Sequence, residues 1–146
     1  MFTTAMANSV LYENFHGDAE GGDGRKVYIG LSSTAPSEDG SNFTEPEATK
    51  TTGYHRGEIG SKMAQASNRQ IQNNTVCYMS LLRADLGTVG YFGLFTAKSG
   101  GVPFFYGPLK QTINLTVDHI PVVDIGGIVI GLDKDELDPG KGWDEI

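Results

Sequence analysis

The chain has 146 residues, the size of one ordinary domain, and is long enough to bury a core without metals or disulfides. Its formal net charge is −7 and its 11 lysines and arginines are scattered, which argues against a general nucleic-acid-binding protein. The single cysteine, Cys77, excludes an intrachain disulfide, and no apolar run approaches the roughly 20 residues that cross a bilayer.

The N-terminal segment is predicted to form a short helix over residues 2 to about 16. Thr3 or Thr4 can cap this helix, and Gly17 ends it. Four apolar residues recur along it at near-helical spacing: Phe2, Met6, Val10 and Phe15. The segment lacks the basic stretch of a secretory signal, so we expect the protein to be made in a reducing cytoplasm.

A predicted strand at 26–32 runs into a stretch of small, polar, turn-forming residues at 33–50. This stretch holds no base, thiol or phosphate-binding loop, and β sequence resumes at Gly53, which argues against both a catalytic loop and a linker. Pro36 and Pro46 limit its freedom. We therefore predict a semi-rigid projecting loop that contacts another protein. The candidate contact residues in it are Pro36, Asp39, Phe43 and Pro46.

The remaining sequence is predicted to be mainly strands. Residues 53–60 are interpreted as a polar strand, and 61–74 show no clear period and are treated as irregular. From Thr75 the β signal is nearly continuous. Six strands are predicted there: 75–82, 87–97, 102–109, 112–117, 120–125 and 127–133.

Two of these strands have distinct positions in the predicted sheet. The strand 87–97 is apolar on both faces, which indicates a central strand covered on both sides. Pro103 and Pro108 remove two backbone donors from 102–109, so this strand is expected at an edge or with bulges. The glycine-rich segment 98–101 suits a hairpin loop between them.

The predicted fold class is mainly β: an antiparallel β-sandwich or barrel-like domain with one short N-terminal helix. Short strands, many turns and 20 glycines favour this class. Residues 1–133 are expected to form the single domain. Residues 134–146, rich in Asp, Pro and Gly, are expected to form an extended acidic C-terminal tail.

Residues able to carry out catalysis are present, but not in a recognised pattern. The three histidines, His16, His55 and His119, lie far apart and lack metal-ligand spacing. The acidic tail does not fit a calcium-binding EF-hand loop, and no phosphate-binding loop or nucleophile elbow occurs. Cys77 is interpreted as a small buried hydrophobe. We therefore predict no enzymatic activity, no cofactor and no metal site.

Aromatic residues are concentrated on two neighbouring predicted strands. They are Tyr91, Phe92, Phe95, Phe104, Phe105 and Tyr106. They suit the core of a sandwich, a subunit interface, or both. Further candidate contact residues from this hairpin and the tail are Tyr91, Phe92, Phe105, Tyr106 and Trp143.

Two segments carry a family resemblance: "VYIGLSSTAPSEDGSNFTEPEATKTTGYHR" and "LGTVGYFGLFTAKSGGVPFFYGPL". They resemble, in order and spacing, a family of small tailed-phage virion proteins usually labelled tail fibre proteins. That family shows a Y-x-G-L-S-T-T-A-P pattern, a G-Y-x-R strand, and later G-T-V-x-x-F-G and Y-G-x-L. The resemblance covers residues 2 to about 133. Leu86 and Thr96 depart from it, since the family often has Trp and Asp there.

The resemblance implies a non-enzymatic structural protein of a tailed-phage virion, made in the host bacterial cytoplasm. We expect a symmetric homo-oligomer that docks on other virion proteins as a tail fibre, baseplate or collar component. Two alternatives stay open, namely a capsid decoration protein and a carbohydrate-binding module that recognises a host-surface glycan. No nucleic acid or membrane partner is expected.

Overall fold

The computed structural model describes residues 2–19, 22 and 24–132. The described chain contains one helix, α1 (Thr4–Phe15), and one 3-10 turn, Gly60–Lys62. The strands are β1 (Tyr28–Ser32), β2 (Gly57–Glu58), β3 (Gln70–Gln72), β4 (Cys77–Tyr78), β5 (Gly87–Phe95), β6 (Phe105–Leu115), β7 (Val122–Val123) and β8 (Val129–Gly131). The predicted tail at 134–146 lies outside the described residues.

Helix α1 begins where its capping residue predicts, but it buries a different face. The Thr3 hydroxyl accepts a hydrogen bond from the Met6 amide at 3.2 Å, which satisfies one free donor of the first turn. Ala7 and Leu11, four residues apart, are fully buried, whereas Phe2 and Met6 are 43% and 51% exposed. The predicted apolar face is therefore wrong for Phe2 and Met6, whereas Phe15 packs against the core as predicted.

The main sheet has the antiparallel order β2-β1-β5-β6. Strand β5 is central, and β6 lies at the edge, as its prolines predicted. The two strands predicted at 102–109 and 112–117 are instead one continuous strand, Phe105–Leu115. The register shifts between Val89, which pairs with Ile113, and Tyr91, which pairs with Pro108, so β6 has the extra residues and carries a bulge, as expected for this strand.

Two small sheets complete the fold, one formed by β3 and β8 and the other by β4 and β7. The interpretation of 61–74 as irregular is wrong for Gln70–Gln72. Asn68 and Arg69 both have positive φ, 50° and 62°, and form a two-residue turn that leads into β3. Three residues are too few to show a period, which is why the pattern did not reveal this strand.

The core lies between one face of the main sheet, the two small sheets and α1. The main sheet contributes Ile29, Leu31, Val89, Phe92 and Leu94, and the other elements contribute Leu11, Ile71, Cys77, Ile128 and Ile130. The mainly antiparallel β fold with one short N-terminal helix is therefore confirmed. No helix within the described part is long and apolar enough to span a membrane.

Candidate interaction surfaces

The segment 33–50 returns over the second face of the main sheet. The Phe43 ring lies against the Phe95 ring, with centroids 5.3 Å apart and planes at 76°. Gly93 makes room for this packing, because a Cβ there would lie 2.8 Å from the Phe43 ring. Gly30 pairs directly with Gly93 on the neighbouring strand. Because the two glycines lack side chains, they leave a shallow depression in the sheet, and the returning segment packs against it.

A buried ion pair fixes this segment from its other end. The Arg56 guanidinium donates two hydrogen bonds to the Glu45 carboxylate, at 2.8 and 3.0 Å. It also donates to the carbonyls of Ala97 and Gly100 and lies 3.4 Å from the centre of the Phe95 ring. Because the Arg56 and Glu45 side chains are only 4% and 19% exposed, this pair depends on its full set of partners.

Tyr54 connects the ion pair to the main sheet. Its hydroxyl donates to Glu45 Oε2 at 2.7 Å and accepts from the Leu31 amide at 2.9 Å. Burial, together with the Glu45 charge, raises the pKa of the Tyr54 phenol far above its usual value. The hydroxyl therefore stays protonated and acts as a fixed donor. Tyr54 and Arg56 belong to the G-Y-x-R pattern of the family resemblance, but the sequence did not reveal their contact with Glu45, since that contact is tertiary.

These contacts correct the predicted shape of the 33–50 loop. Phe43 and Pro46 are half-buried against the sheet, so this part does not project. Pro36 is also half-buried, whereas Asp39 is exposed at the outer turn. The Asp39 carboxylate accepts hydrogen bonds from the hydroxyl and amide of Ser41, which lower its pKa. A contact role for these residues stays a prediction.

The aromatic hairpin belongs largely to the interior of the monomer. Phe92 is 8% exposed, and its ring lies 6.2 Å from that of Phe105. Phe105 in turn meets Phe15 of α1 edge-on at 5.1 Å. Tyr91 and Tyr106 are half-buried and keep some surface for a partner. The remaining candidate from the sequence, Trp143, lies outside the described residues.

An apolar groove, which the sequence did not predict, runs between β6 and the segment 121–128. Its volume is about 410 Å³, and it is lined mainly by Leu109, Ile113, Pro121, Val122, Ile125 and Ile128. Val122 is 37% exposed and Ile125 is 63% exposed, and Ile120 beside them is 46% exposed. A continuous apolar surface of this kind is typical of a protein contact site. The groove exists only once β6 and this later segment are folded together.

The chemically active side chains do not converge. The His16 ring stacks on Tyr12 at 4.4 Å, and His119 Nδ1 lies 3.0 Å from the Val117 carbonyl. Burial raises the pKa of the Cys77 thiol to about 11. No group of three His, Cys, Asp or Glu side chains suited to a metal occurs among the residues described here.

The fold and its surfaces define a class: a small antiparallel β domain with an apolar groove beside its edge strand. A family model described as podophage GP4 fiber I protein gp80 matches residues 1–131, and the chain belongs to this family. The resemblance to phage tail fibre proteins is thus confirmed. A search of curated proteins gives no match.

Family membership makes the chain a structural fibre protein of a bacteriophage, a component of the virion that contacts other virion proteins. A structural fibre family also favours a non-enzymatic role.

Proposed function

We propose that this protein assembles as a symmetric homo-oligomer and docks on other virion proteins, as a non-enzymatic component of the tail fibre, baseplate or collar. Its synthesis takes place in the host bacterial cytoplasm. The apolar groove beside β6 is the surface that carries the proposal, and family membership supports the virion setting.

The groove favours association because it leaves large apolar side chains in water. Fully burying one such side chain contributes about 1.5–3 kcal/mol. Val122 and Ile125 in the groove are each more than one-third exposed in the monomer, and Ile120, next to the groove on the same segment, is 46% exposed. Covering them with a neighbouring chain therefore contributes several kcal/mol towards association.

We expect two copies of the chain to associate through side-chain packing in the groove rather than through pairing of their β6 strands. Lys110 lies at the middle of β6, so a symmetric antiparallel pairing of two copies of this strand would set Lys110 near its own equivalent. Pro108 further removes one backbone donor. Lysines and prolines are features by which edge strands resist pairing. The strand edge is thus protected, while the groove beside it is open.

The test compares two surface variants that match in exposure. Ile125 in the groove and Val102 in the β5–β6 loop are both 63% exposed. We expect the native protein and Val102→Asp to be oligomers at micromolar concentration by light scattering, and Ile125→Asp to shift towards the monomer. A monomeric native protein, or the same shift in both variants, would contradict the proposal.

A further inference from the structure

A second cavity lies away from the apolar groove, between the turn at 49–53 and the segment 80–83. Its volume is about 410 Å³, and its lining residues are Thr49, Lys50, Gly53, His55, Ser80, Leu81 and Arg83. We call it the basic pocket. Its size falls within the range of small-molecule sites, about 300–1,000 Å³.

The walls of the basic pocket are held together by backbone and hydroxyl contacts. The Ser80 hydroxyl accepts from the His55 amide at 2.9 Å and donates to the Gly53 carbonyl at 2.8 Å. The Arg83 amide donates to the Thr52 carbonyl at 2.9 Å. Gly53 has a φ of 72°, and a Cβ there would lie 2.4 Å from the Leu81 carbonyl oxygen. This close approach fixes the two segments in place before any ligand arrives.

The charge of the basic pocket is opposite to that of the whole chain. The chain has 18 acidic residues against 11 lysines and arginines, yet none of the pocket's lining residues is acidic. Lys50 and Arg83 supply two permanent positive charges, and His55 adds an imidazole. When basic side chains of an acidic protein lie together in one concave site, the local electrostatic potential there attracts anions.

Within the part of the chain that the structure describes, these cations are not used elsewhere. The two ion pairs within the described part of the chain are Arg56–Glu45 and Lys62–Glu58. Neither Lys50 nor Arg83 makes a side-chain hydrogen bond or ion pair with any residue that the structure describes, whereas the Arg56 guanidinium donates four hydrogen bonds. The donors of Lys50 and Arg83 are therefore available to a ligand.

We propose that the basic pocket binds a phosphate monoester on a small hydrophilic molecule. A phosphate monoester carries about −1.5 to −2 charges near pH 7, which matches the two permanent cations better than a single carboxylate does. A guanidinium can donate two parallel hydrogen bonds to phosphate oxygens, and an ammonium adds a third donor. The hydroxyl of Thr49 offers a further polar contact. This inference goes beyond the assembly role and does not depend on it.

The experiment titrates the full-length protein with inorganic phosphate at constant ionic strength and follows backbone amide NMR shifts. We expect saturable shifts confined to 49–55 and 80–83, and binding that weakens as salt is added. Arg83→Gln and Lys50→Gln should each weaken binding by about tenfold or more. Arg25→Gln, which makes the same change in net charge away from both the basic pocket and the apolar groove, should bind as the native protein does.

A second arm compares glucose 6-phosphate with glucose. We expect glucose 6-phosphate to bind at the same amides and glucose to leave them unshifted. The inference is wrong if phosphate gives no saturable shift, if Arg25→Gln weakens binding as much as Arg83→Gln, or if glucose binds as tightly as its phosphate ester. Thermal unfolding of each variant verifies that the fold is retained.

Discussion

Tyr54→Phe isolates the polar contacts that fix the 33–50 segment onto the main sheet. The substitution removes one oxygen and keeps the ring in place. That oxygen accepts from the Leu31 amide at 2.9 Å and donates to Glu45 at 2.7 Å, in a residue that is only 1% exposed. The variant thus leaves a buried amide without an acceptor and a buried carboxylate with one donor fewer.

The expected cost follows from these two losses. A hydrogen bond to a charged group contributes about 1.5–3 kcal/mol, and an unsatisfied buried donor costs about 1–3 kcal/mol. The two effects overlap, because one local rearrangement can partly satisfy both the Leu31 amide and the Glu45 carboxylate. We therefore expect the free energy of unfolding to fall by about 3 kcal/mol. Against a total stability of about 5–15 kcal/mol for a domain, this is a large fraction.

Urea denaturation followed by circular dichroism measures this loss, and Tyr28→Phe is the matched control. Tyr28 is also buried, at 5% exposure, but its hydroxyl makes no hydrogen bond with any residue in the described part. We expect the control to change stability by no more than about 0.5 kcal/mol. A loss below about 1 kcal/mol for Tyr54→Phe, or equal losses in the two variants, would refute the reasoning.

Two further predictions concern packing and the thiol. Gly93→Ala should lower the free energy of unfolding, measured by urea denaturation, by about 1–3 kcal/mol, because the new Cβ would lie 2.8 Å from the Phe43 ring. Gly90→Ala is the control and should lower it much less, because the nearest atom to its Cβ would be 3.5 Å away. Equal costs would show that the segment does not rest on Gly93. Burial raises the pKa of Cys77 from 9.0 to about 11, so at pH 8 the native thiol should react with a thiol reagent at least about 100-fold more slowly than the urea-unfolded chain. Comparable rates would contradict its burial.

Local signals in the sequence were sufficient for part of the fold. The capping threonine Thr3 located the start of α1, because N-capping depends only on neighbouring residues. The central position of β5 followed from apolar residues on both faces. The edge position of β6 was predicted from Pro103 and Pro108, because a proline has no backbone N–H to donate to a neighbouring strand; of the two, Pro108 lies within β6.

The rest of the fold depends on contacts between residues that are far apart in the sequence. Strand β3 pairs with β8, where Gln72 lies opposite Val129, and strands this short show no periodicity of their own. The return of the 33–50 segment depends on Glu45 meeting Arg56 and on Gly93 leaving space on another strand. A loop with polar, turn-forming composition gives no sign of such partners, so it was predicted to project.

The two candidate sites were missed for the same reason. The apolar groove forms between β6 and the segment around Ile125, and the basic pocket joins Lys50 to Arg83, which lie on separate segments. In sequence, each of these residues looks like an ordinary member of a strand or loop. Only their arrangement in space creates a concave apolar or cationic surface.

Imaging of the intact particle, with density assigned to this chain, shows whether this fibre protein assembles through the apolar groove as part of the phage tail apparatus. We expect density at the tail fibre, baseplate or collar, in symmetric copies, with a neighbouring chain seated over Ile125 and Val122. Density on the capsid surface, or a groove that faces solvent in the assembled virion, would contradict the account.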